Sequence, residues 1–289
     1  MNLPEDKQIE KIIAELKNCD WDKVSEEKII KKIRELNFIP FPTSLLKKGF
    51  YVDRIRVNND KELFYSEKEI SYRDDYHNIK KYGRANLKNQ SLFYGAFESE
   101  NIKHPRFVNL IETSEIYRNI ENYRDLNSKF YVTLGRWELI KETEVLEIIF
   151  DNEFLNKSEE NKKAYQFHSD KLKTIDLENE TRFKKILEFF SSEFAKKEIK
   201  NDNYYKASAI YFNMSLMSSE SIAGVKYPSV KSDYLGYNLA LLPNAFERNF
   251  RLKNVVLLEI DKKRMNTTIK SVNSVKDFGP MNSKFKWMH

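Results

Sequence analysis

Arginine, serine, asparagine and tyrosine side chains cluster beside the few glycines of this chain. Of the seven glycines in the sequence, Gly83, Gly95, Gly224 and Gly236 lie in or next to short segments that carry those side chains. Glycine is needed where the backbone takes a positive φ or must approach a ligand closely. Guanidinium groups bind phosphates, and an aromatic side chain offers a flat surface to a ring. The combination predicts a site for an anionic ligand that contains a flat ring.

Three arginines are the candidate phosphate ligands. Arg54 and Arg56 follow residues 50–53 in a segment whose composition favours a β-strand. Alternate residues of a strand point to one face, so Arg54 and Arg56 are predicted to line one cleft. Gly83-Arg84-Ala85-Asn86 adds a third guanidinium in a predicted turn, together with the amide of Asn86. The simpler interpretation of each arginine is a charge at the surface or at a sheet edge.

The remaining candidates are a tyrosine and three polar side chains near the end of the chain. Tyr94, in Leu92-Phe93-Tyr94-Gly95, offers a flat face for the ring of a ligand, although a core tyrosine fits almost as well. Ser229 and Asn238 are predicted to orient ribose or phosphate, and turn chemistry is the simpler alternative for both. Lys226 is a further cation that a phosphate could contact.

Composition limits the class of protein. The chain has 289 residues and a net charge of +6, and its lysines are scattered, so no nucleic-acid-binding arm is predicted. Cys19 is the only cysteine, which excludes an internal disulfide and a cysteine metal cage. Residues 1–6 lack the pattern of a signal peptide, and no apolar run reaches the length of a membrane span. We therefore expect a cytoplasmic protein without a metal and without membrane contact.

The spacing of apolar residues predicts helices and strands in mixed order. Helices are predicted at 9–16, 26–36, 105–117, 183–194 and 204–221, and strands at 51–57, 91–97, 129–134, 239–242 and 255–260. Ser25 is predicted to cap the second helix, and Gly224 is predicted to end the last one. Because strands and helices do not alternate as βαβ units, the pattern favours an α+β fold.

Changes in composition and in the spacing of apolar residues along the chain predict the domain organisation. Residues 1–45 form a predicted helical extension, which caps the main domain or binds a partner. Residues 46–275 form the predicted catalytic domain, with a polar or helical insertion near 118–204, and residues 276–289 form a tail. The chain has no Gly-x-Gly-x-x-Gly after a strand and no Walker-type lysine, which argues against Rossmann and P-loop nucleotide sites. The histidines have no partners at metal-ligand spacing.

Taken in order, these segments resemble the RES-domain family, which is named for its arginine, glutamate and serine. The resemblance runs from about Phe50 to Ile260, apart from a polar stretch between Arg118 and Tyr204. The matching segments are the Gly-Arg-x-Asn turn at 83–86, the aromatic strand at 92–95, Glu112 in 107–112, and the glycine-to-serine stretch at 223–229. The helical extension and the polar insertion depart from the compact members of the family.

The resemblance implies an ADP-ribosyltransferase-like mixed β core with flanking helices. The best-known members are toxins that degrade NAD⁺ at the nicotinamide–ribose bond, with inorganic phosphate or water as acceptor, and an Xre-type antitoxin covers their site. By this resemblance Arg84, Tyr94, Glu112 and Ser229 would be catalytic. Arg54, Arg56, Asn86, Lys226 and Asn238 would bind NAD⁺. Glu112 would hydrogen-bond the ribose hydroxyls and offset developing positive charge, and Glu115 competes for that role.

Two other functions remain open from the sequence. The same site could transfer ADP-ribose to a protein, as a mono-ADP-ribosyltransferase, or the fold could serve binding alone. The residues do not determine the acceptor, the inhibitory protein or the oligomeric state. A homo-oligomer is one of the open alternatives.

Overall fold

The computed structural model describes residues 3–59, 62–106, 108–109, 128–263, 266–278 and 283–288. Its α-helices are α1 (Asp6–Lys17), α2 (Glu26–Arg34), α3 (Glu67–Ile70), α4 (Asn152–Leu155), α5 (Glu159–Ile175), α6 (Glu180–Ala195), α7 (Lys206–Ser218) and α8 (Pro243–Asn249). Its strands are β1 (Thr43–Leu46), β2 (Tyr51–Asn58), β3 (Phe93–Phe97), β4 (Ser128–Leu139), β5 (Thr143–Glu147), β6 (Ile222–Pro228), β7 (Tyr237–Leu241), β8 (Phe250–Lys263), β9 (Asn266–Asp277) and β10 (Lys286–Trp287). The expected mixture of helices and strands is confirmed.

The chain forms two compact units, each built from three stretches of sequence. The first unit contains Met1–Ser44, Asp75–Gln90 and Glu144–Val230. The second contains Leu45–Asp74, Ser91–Thr143 and Lys231–His289. This division differs from the predicted boundaries, because the segments before residue 45 and after residue 144 share one core and were assigned from sequence to separate regions.

The first unit is mainly helical. Its strands β5 and β6 are parallel, and helices α4 to α7 lie between them in sequence. The rings of Phe190 on α6 and Tyr211 on α7 stack with their centroids 4.0 Å apart. The hydroxyl of Tyr211 donates to the carbonyl oxygen of Pro40 at 2.8 Å, which joins the segment after α2 to this core.

The N-terminal segment is held to the first unit by polar contacts as well. Lys185 on α6 pairs with Asp6 at 2.9 Å and with Glu10 at 2.6 Å. The buried Lys206 donates to the carbonyl oxygens of Trp21 at 2.7 Å and Val24 at 2.9 Å. Burial lowers the pKa of Lys206, and these two acceptors replace part of its lost hydration. Helices α1 and α2 therefore belong to the fold of this unit.

The second unit is built on an antiparallel sheet. Its strand order is β7, β3, β2, β4, β8, β9 and β10, and each neighbouring pair is antiparallel. One face of the sheet packs around Phe93, whose ring stacks on that of Phe246 with centroids 4.0 Å apart. The ring of Trp137 also contacts Phe93, with centroids at 5.2 Å.

The predicted end of the last helix is wrong. Helix α7 ends at Ser218, and Gly224 lies inside β6. The backbone is already extended at Ser219, so Gly224 does not cap the helix. The predicted C-terminal tail is part of the sheet unit: β9 extends to Asp277, and the indole nitrogen of Trp287 in β10 donates to the carbonyl oxygen of Phe64 at 2.9 Å.

Among the described residues, no helix combines the length and the apolar character that a membrane crossing requires.

Gly95 occupies a position in β3 where a larger residue would not fit. A Cβ added there would lie 2.5 Å from Cγ1 of Val52 and 2.9 Å from the carbonyl oxygen of Asp53. Because the latter is a main-chain atom, it can move only if the pairing of β2 and β3 changes. We expect Gly95→Ala to lower the free energy of unfolding by about 1–3 kcal/mol, measured by urea denaturation. An unchanged denaturation midpoint would contradict this packing.

Candidate functional site

The predicted site residues divide between the two units. The first unit contains Arg84, Asn86, Lys226 and Ser229, and the second contains Arg54, Arg56, Tyr94 and Asn238. Glu112 and its competitor Glu115 lie outside the described residues.

In the second unit, the register of β2 confirms that Arg54 and Arg56 share one face of the sheet. β2 pairs with β4 without a register shift, with Arg54 opposite Gly135 and Arg56 opposite Thr133. Because side chains alternate along a strand, residues two apart project to the same side. The two guanidinium-bearing side chains therefore project from neighbouring positions on the same side of the sheet.

Arg54 is a desolvated cation without an ionic partner in the described part of the chain. One of its terminal nitrogens donates to the carbonyl oxygen of Tyr94, and its Cζ lies 5.5 Å from the centroid of the Phe93 ring. Its Nε is buried and has no hydrogen-bond partner among the described residues. Burial, together with repulsion from Arg56, lowers the pKa of Arg54 to about 9. It remains charged at neutral pH, at a cost in solvation that no carboxylate of the described residues offsets.

Arg56 is held by the end of a short helix. Its Nη2 donates to the carbonyl oxygen of Ser71 at 2.8 Å, and Ser71 is the residue that follows α3. A carbonyl at a helix end lacks an intrahelical donor, so it is a natural acceptor for a cation. This contact fixes the second arginine beside the first.

Tyr94 and Asn238 project from the opposite face of the same sheet. Asp53 pairs with Ala96 of β3, and Ala96 pairs with Asn238 of β7. Directly paired residues share a face, and Tyr94 lies two positions from Ala96, so all of them are on the face of Asp53. Arg54 alternates with Asp53 and points the other way. Within this sheet, Arg54 therefore projects from the face opposite to that of Tyr94 and Asn238.

The face of Asp53 contains a structural ion pair that the sequence interpretation missed. Asp53 is fully buried, and Arg136 on β4 binds its two carboxylate oxygens at 2.7 and 2.8 Å. Asn109 donates to the carbonyl oxygen of Asp53 at 2.7 Å. Asp53 and Arg136 stand opposite each other across β2 and β4, a pairing that requires knowledge of the register. Arg136 therefore has a carboxylate partner, whereas Arg54 has none within the ranges that the structure describes.

In the first unit, Arg84 anchors the end of helix α6. Its guanidinium donates to the carbonyl oxygens of Phe194 and Lys196, the latter at 2.9 Å, and its Cζ lies 4.9 Å from the centroid of the Tyr205 ring. Carbonyls in the last turn of a helix have no intrahelical donors, and a cation stabilises them. This contact gives Arg84 a structural role, and its predicted contact with phosphate stays a prediction.

The segment around Arg84 is a turn, as expected. The amide nitrogen of Gly83 donates to the carbonyl oxygen of Asn86 at 3.1 Å. The Nδ2 of Asn86 donates to the carbonyl oxygens of Lys81 at 3.2 Å and Leu87 at 2.9 Å. These contacts show how Asn86 holds the local backbone. They leave its predicted role in binding NAD⁺ untested.

Lys226 belongs to a buried charge cluster that the sequence did not reveal. Its Nζ lies 2.8 Å from Oε1 of Glu147, and Nε2 of His168 lies 2.8 Å from Oε2 of the same carboxylate. Burial alone raises the pKa of Glu147, but the charge of Lys226 and the hydrogen bond from His168 lower it to about 2. Glu147 is therefore ionised at neutral pH. We call Glu147, His168 and Lys226 the buried triad.

The other two predicted residues are buried. Ser229 follows β6 and is fully inaccessible to solvent, and Asn238 in β7 is 8% exposed. Burial is compatible with the turn and packing chemistry given as the simpler alternative. A ligand role for either residue stays a prediction.

No model of a known protein family matches this sequence, and a comparison with curated proteins gives no match either.

Proposed function

We propose that this protein binds NAD⁺ and cleaves its nicotinamide–ribose bond, with inorganic phosphate or water as acceptor. Two lines of support are independent of each other. One is the ordered set of segments that resembles the RES-domain family. The other, which carries most weight, is the charge of Arg54, which is buried without a carboxylate partner in the described residues.

An anionic ligand would offset the free energy that is lost by burying the charged guanidinium of Arg54. A buried charge without a partner destabilises a fold, and such groups persist where a ligand supplies the opposite charge. Arg54 and Arg56 project from alternate positions of β2 and repel each other. A pyrophosphate carries two negative charges, and its oxygens accept hydrogen bonds from the paired N–H groups of a guanidinium. We therefore assign Arg54 and Arg56 to the pyrophosphate of NAD⁺, and we assign no ligand contact to Tyr94 or Asn238 on the opposite face.

The reaction requires little covalent help from the protein. The bond between C1′ of the ribose and the nicotinamide nitrogen breaks, and its electron pair leaves with the neutral nicotinamide. An oxygen of phosphate or water forms the new bond to C1′, and a proton is released when water is the acceptor. The protein contributes position and electrostatic stabilisation of a sugar cation. Glu112 is the proposed carboxylate that steadies this cation.

The test is to incubate the purified protein with NAD⁺, with and without inorganic phosphate, and to quantify nicotinamide and the ADP-ribose product. We expect nicotinamide release together with free ADP-ribose in water or its phosphorylated form in phosphate. Glu112→Gln should abolish the release, and the matched variant Glu115→Gln should retain it. Circular dichroism of both variants checks that they are folded.

Each alternative function has its own signature in the same experiment. A mono-ADP-ribosyltransferase would release nicotinamide only with an acceptor protein and would leave ADP-ribose attached to it, which mass spectrometry detects. A protein that only binds would release nothing. Failure to release nicotinamide under all conditions would refute the proposed function.

A further inference from the structure

The first unit contains a large cavity, and the residues that line it differ in type from those of a phosphate-binding site. Its volume is about 770 Å³, and every residue that lines it belongs to the first unit. Most lining residues come from three segments: the chain that follows α2, the second half of α5 and the end of α7. Glu144 of β5, Phe183 of α6 and Ile222 of β6 complete the wall. Ligand pockets typically measure about 300–1,000 Å³, so this cavity has the size for a small molecule.

The walls are mostly apolar. Phe38, Leu172, Phe183, Met214 and Ile222 are examples of side chains that line the cavity. Two further apolar residues of the wall are exposed, because Ile175 retains 55% and Met217 retains 80% of their accessible surface. Exposed apolar surface of this kind favours a ligand with an apolar body.

Positively charged side chains outnumber negatively charged ones at the cavity. Arg34 and Lys171 line it, and within the part of the chain that the structure describes neither has an ion-pair partner. Glu144 is the acidic residue of the wall, and hydrogen bonds from Ser221 and Thr43 lower its pKa. The hydroxyl of Thr43 donates to this carboxylate at 2.6 Å. The charge of Lys171 also lowers the pKa of Glu144. Two cations against one carboxylate leave an excess of positive charge at the wall.

His168 adds a hydrogen-bond acceptor to the wall. It lines the cavity and is only 3% exposed, and its Nε2 is bonded to the ionised Glu147 of the buried triad. An ionised carboxylate only accepts, so Nε2 carries the proton. In this tautomer Nδ1 is an acceptor, and it has no hydrogen-bond partner among the described residues.

We propose that this cavity binds a small amphipathic carboxylate, of the class of a medium-chain fatty acid. The apolar body lies against the phenylalanine, methionine and leucine side chains of the wall. The carboxylate head is attracted by Arg34 and Lys171. The site is distinct from the arginine face of β2, and its ligand is not a nucleotide.

The experiment measures binding of decanoate to the purified full-length protein by isothermal titration calorimetry, below the micelle concentration. Decan-1-ol is the neutral probe of the same chain length. We expect one decanoate per chain, bound about tenfold or more tightly than the alcohol, because a charged hydrogen bond contributes more than a neutral one. The double variant Arg34→Gln/Lys171→Gln should reduce decanoate affinity to that of the alcohol and leave binding of the alcohol unchanged.

The matched control is Lys28→Gln/Lys162→Gln, which removes the same charge from the same two helices outside the cavity. It should bind decanoate like the parent protein. A second variant, Leu172→Trp, should block both probes by filling the space. Absence of decanoate binding by the parent protein, equal affinity for acid and alcohol, or equal loss in the control variant would each overturn the inference. So would a dimer in light scattering that dissociates on decanoate binding, since a second copy would then occupy the cavity.

Discussion

Arg54→Met is expected to reduce NAD⁺ cleavage by about 100-fold while changing the stability of the protein by no more than about 1 kcal/mol. The loss of activity follows from removing a charged donor to the pyrophosphate. The small change in stability has two opposing causes. The variant loses the hydrogen bond to the carbonyl oxygen of Tyr94, and it no longer buries a cation without an ionic partner. Nicotinamide release and urea denaturation measure the two effects separately.

Arg136→Met is the matched control on the neighbouring strand. Arg136 binds both oxygens of Asp53, which is fully buried. Removing this arginine leaves a buried carboxylate unpaired, so we expect a loss of about 3–5 kcal/mol in the free energy of unfolding. Arg54→Lys keeps the positive charge but lacks the paired N–H donors of a guanidinium, so it should retain part of the activity. If Arg54→Met cleaves NAD⁺ as fast as the parent protein, Arg54 does not bind the substrate.

Glu147→Gln is expected to lower the free energy of unfolding by about 3–5 kcal/mol, the usual cost of breaking a buried ion pair. The substitution leaves Lys226 without its partner at 2.8 Å, and Lys226 has a side chain that is only 12% exposed. Guanidinium chloride denaturation at neutral pH measures the loss. Glu160→Gln is the control, because Glu160 also approaches Lys226, at 3.8 Å, but is 37% exposed. Surface pairs contribute about 0–1 kcal/mol, so this variant should remain close to the parent protein.

The same carboxylate predicts a pH dependence. The pKa of Glu147 is lowered to about 2 in the folded protein from 4.5 in the unfolded chain. A lowered folded-state pKa gives stability that is fully present above pH 4.5 and is lost as the pH falls towards 2. The contribution is about 3 kcal/mol at neutral pH. The free energy of unfolding should fall between these two pH values, and less steeply in Glu147→Gln. Parallel curves for the two proteins would contradict the pairing.

Local patterns in the sequence predicted about half of the described helices and strands. The stripe Ile9, Ile12 and Leu16 is buried on α1, and the side chain of Ser25 accepts from the amide nitrogen of Lys28, as a cap should. Strands β2, β4 and β8 contain segments predicted as strands, and β3 and β7 overlap the segments predicted for them. Strands β4 and β8 are longer than predicted. These features depend on residues close together in sequence. Gly224 was misplaced because glycine ends helices and also occurs in strands, and only its neighbours in space decide between them.

The candidate site was predictable only in part, because strand pairing determines which side chains share a face. Alternation along β2 is enough to place Arg54 beside Arg56. The face of Tyr94, however, depends on the register of β3 against β2, where a shift of one residue would reverse it. The sequence contains no local signal for that register. The pairing of Asp53 with Arg136 was missed for the same reason.

The sequence by itself determined the mixed α+β class, the positions of about half of the described helices and strands, and the presence of arginines suited to an anion. The tertiary structure alone decided which charges are compensated. Glu147, His168 and Lys226 meet in one buried cluster although they come from β5, α5 and β6. Arg54 remains without a carboxylate partner in the described residues. The energy of a charge depends on burial and on neighbours in space, and both arise only when distant segments pack together.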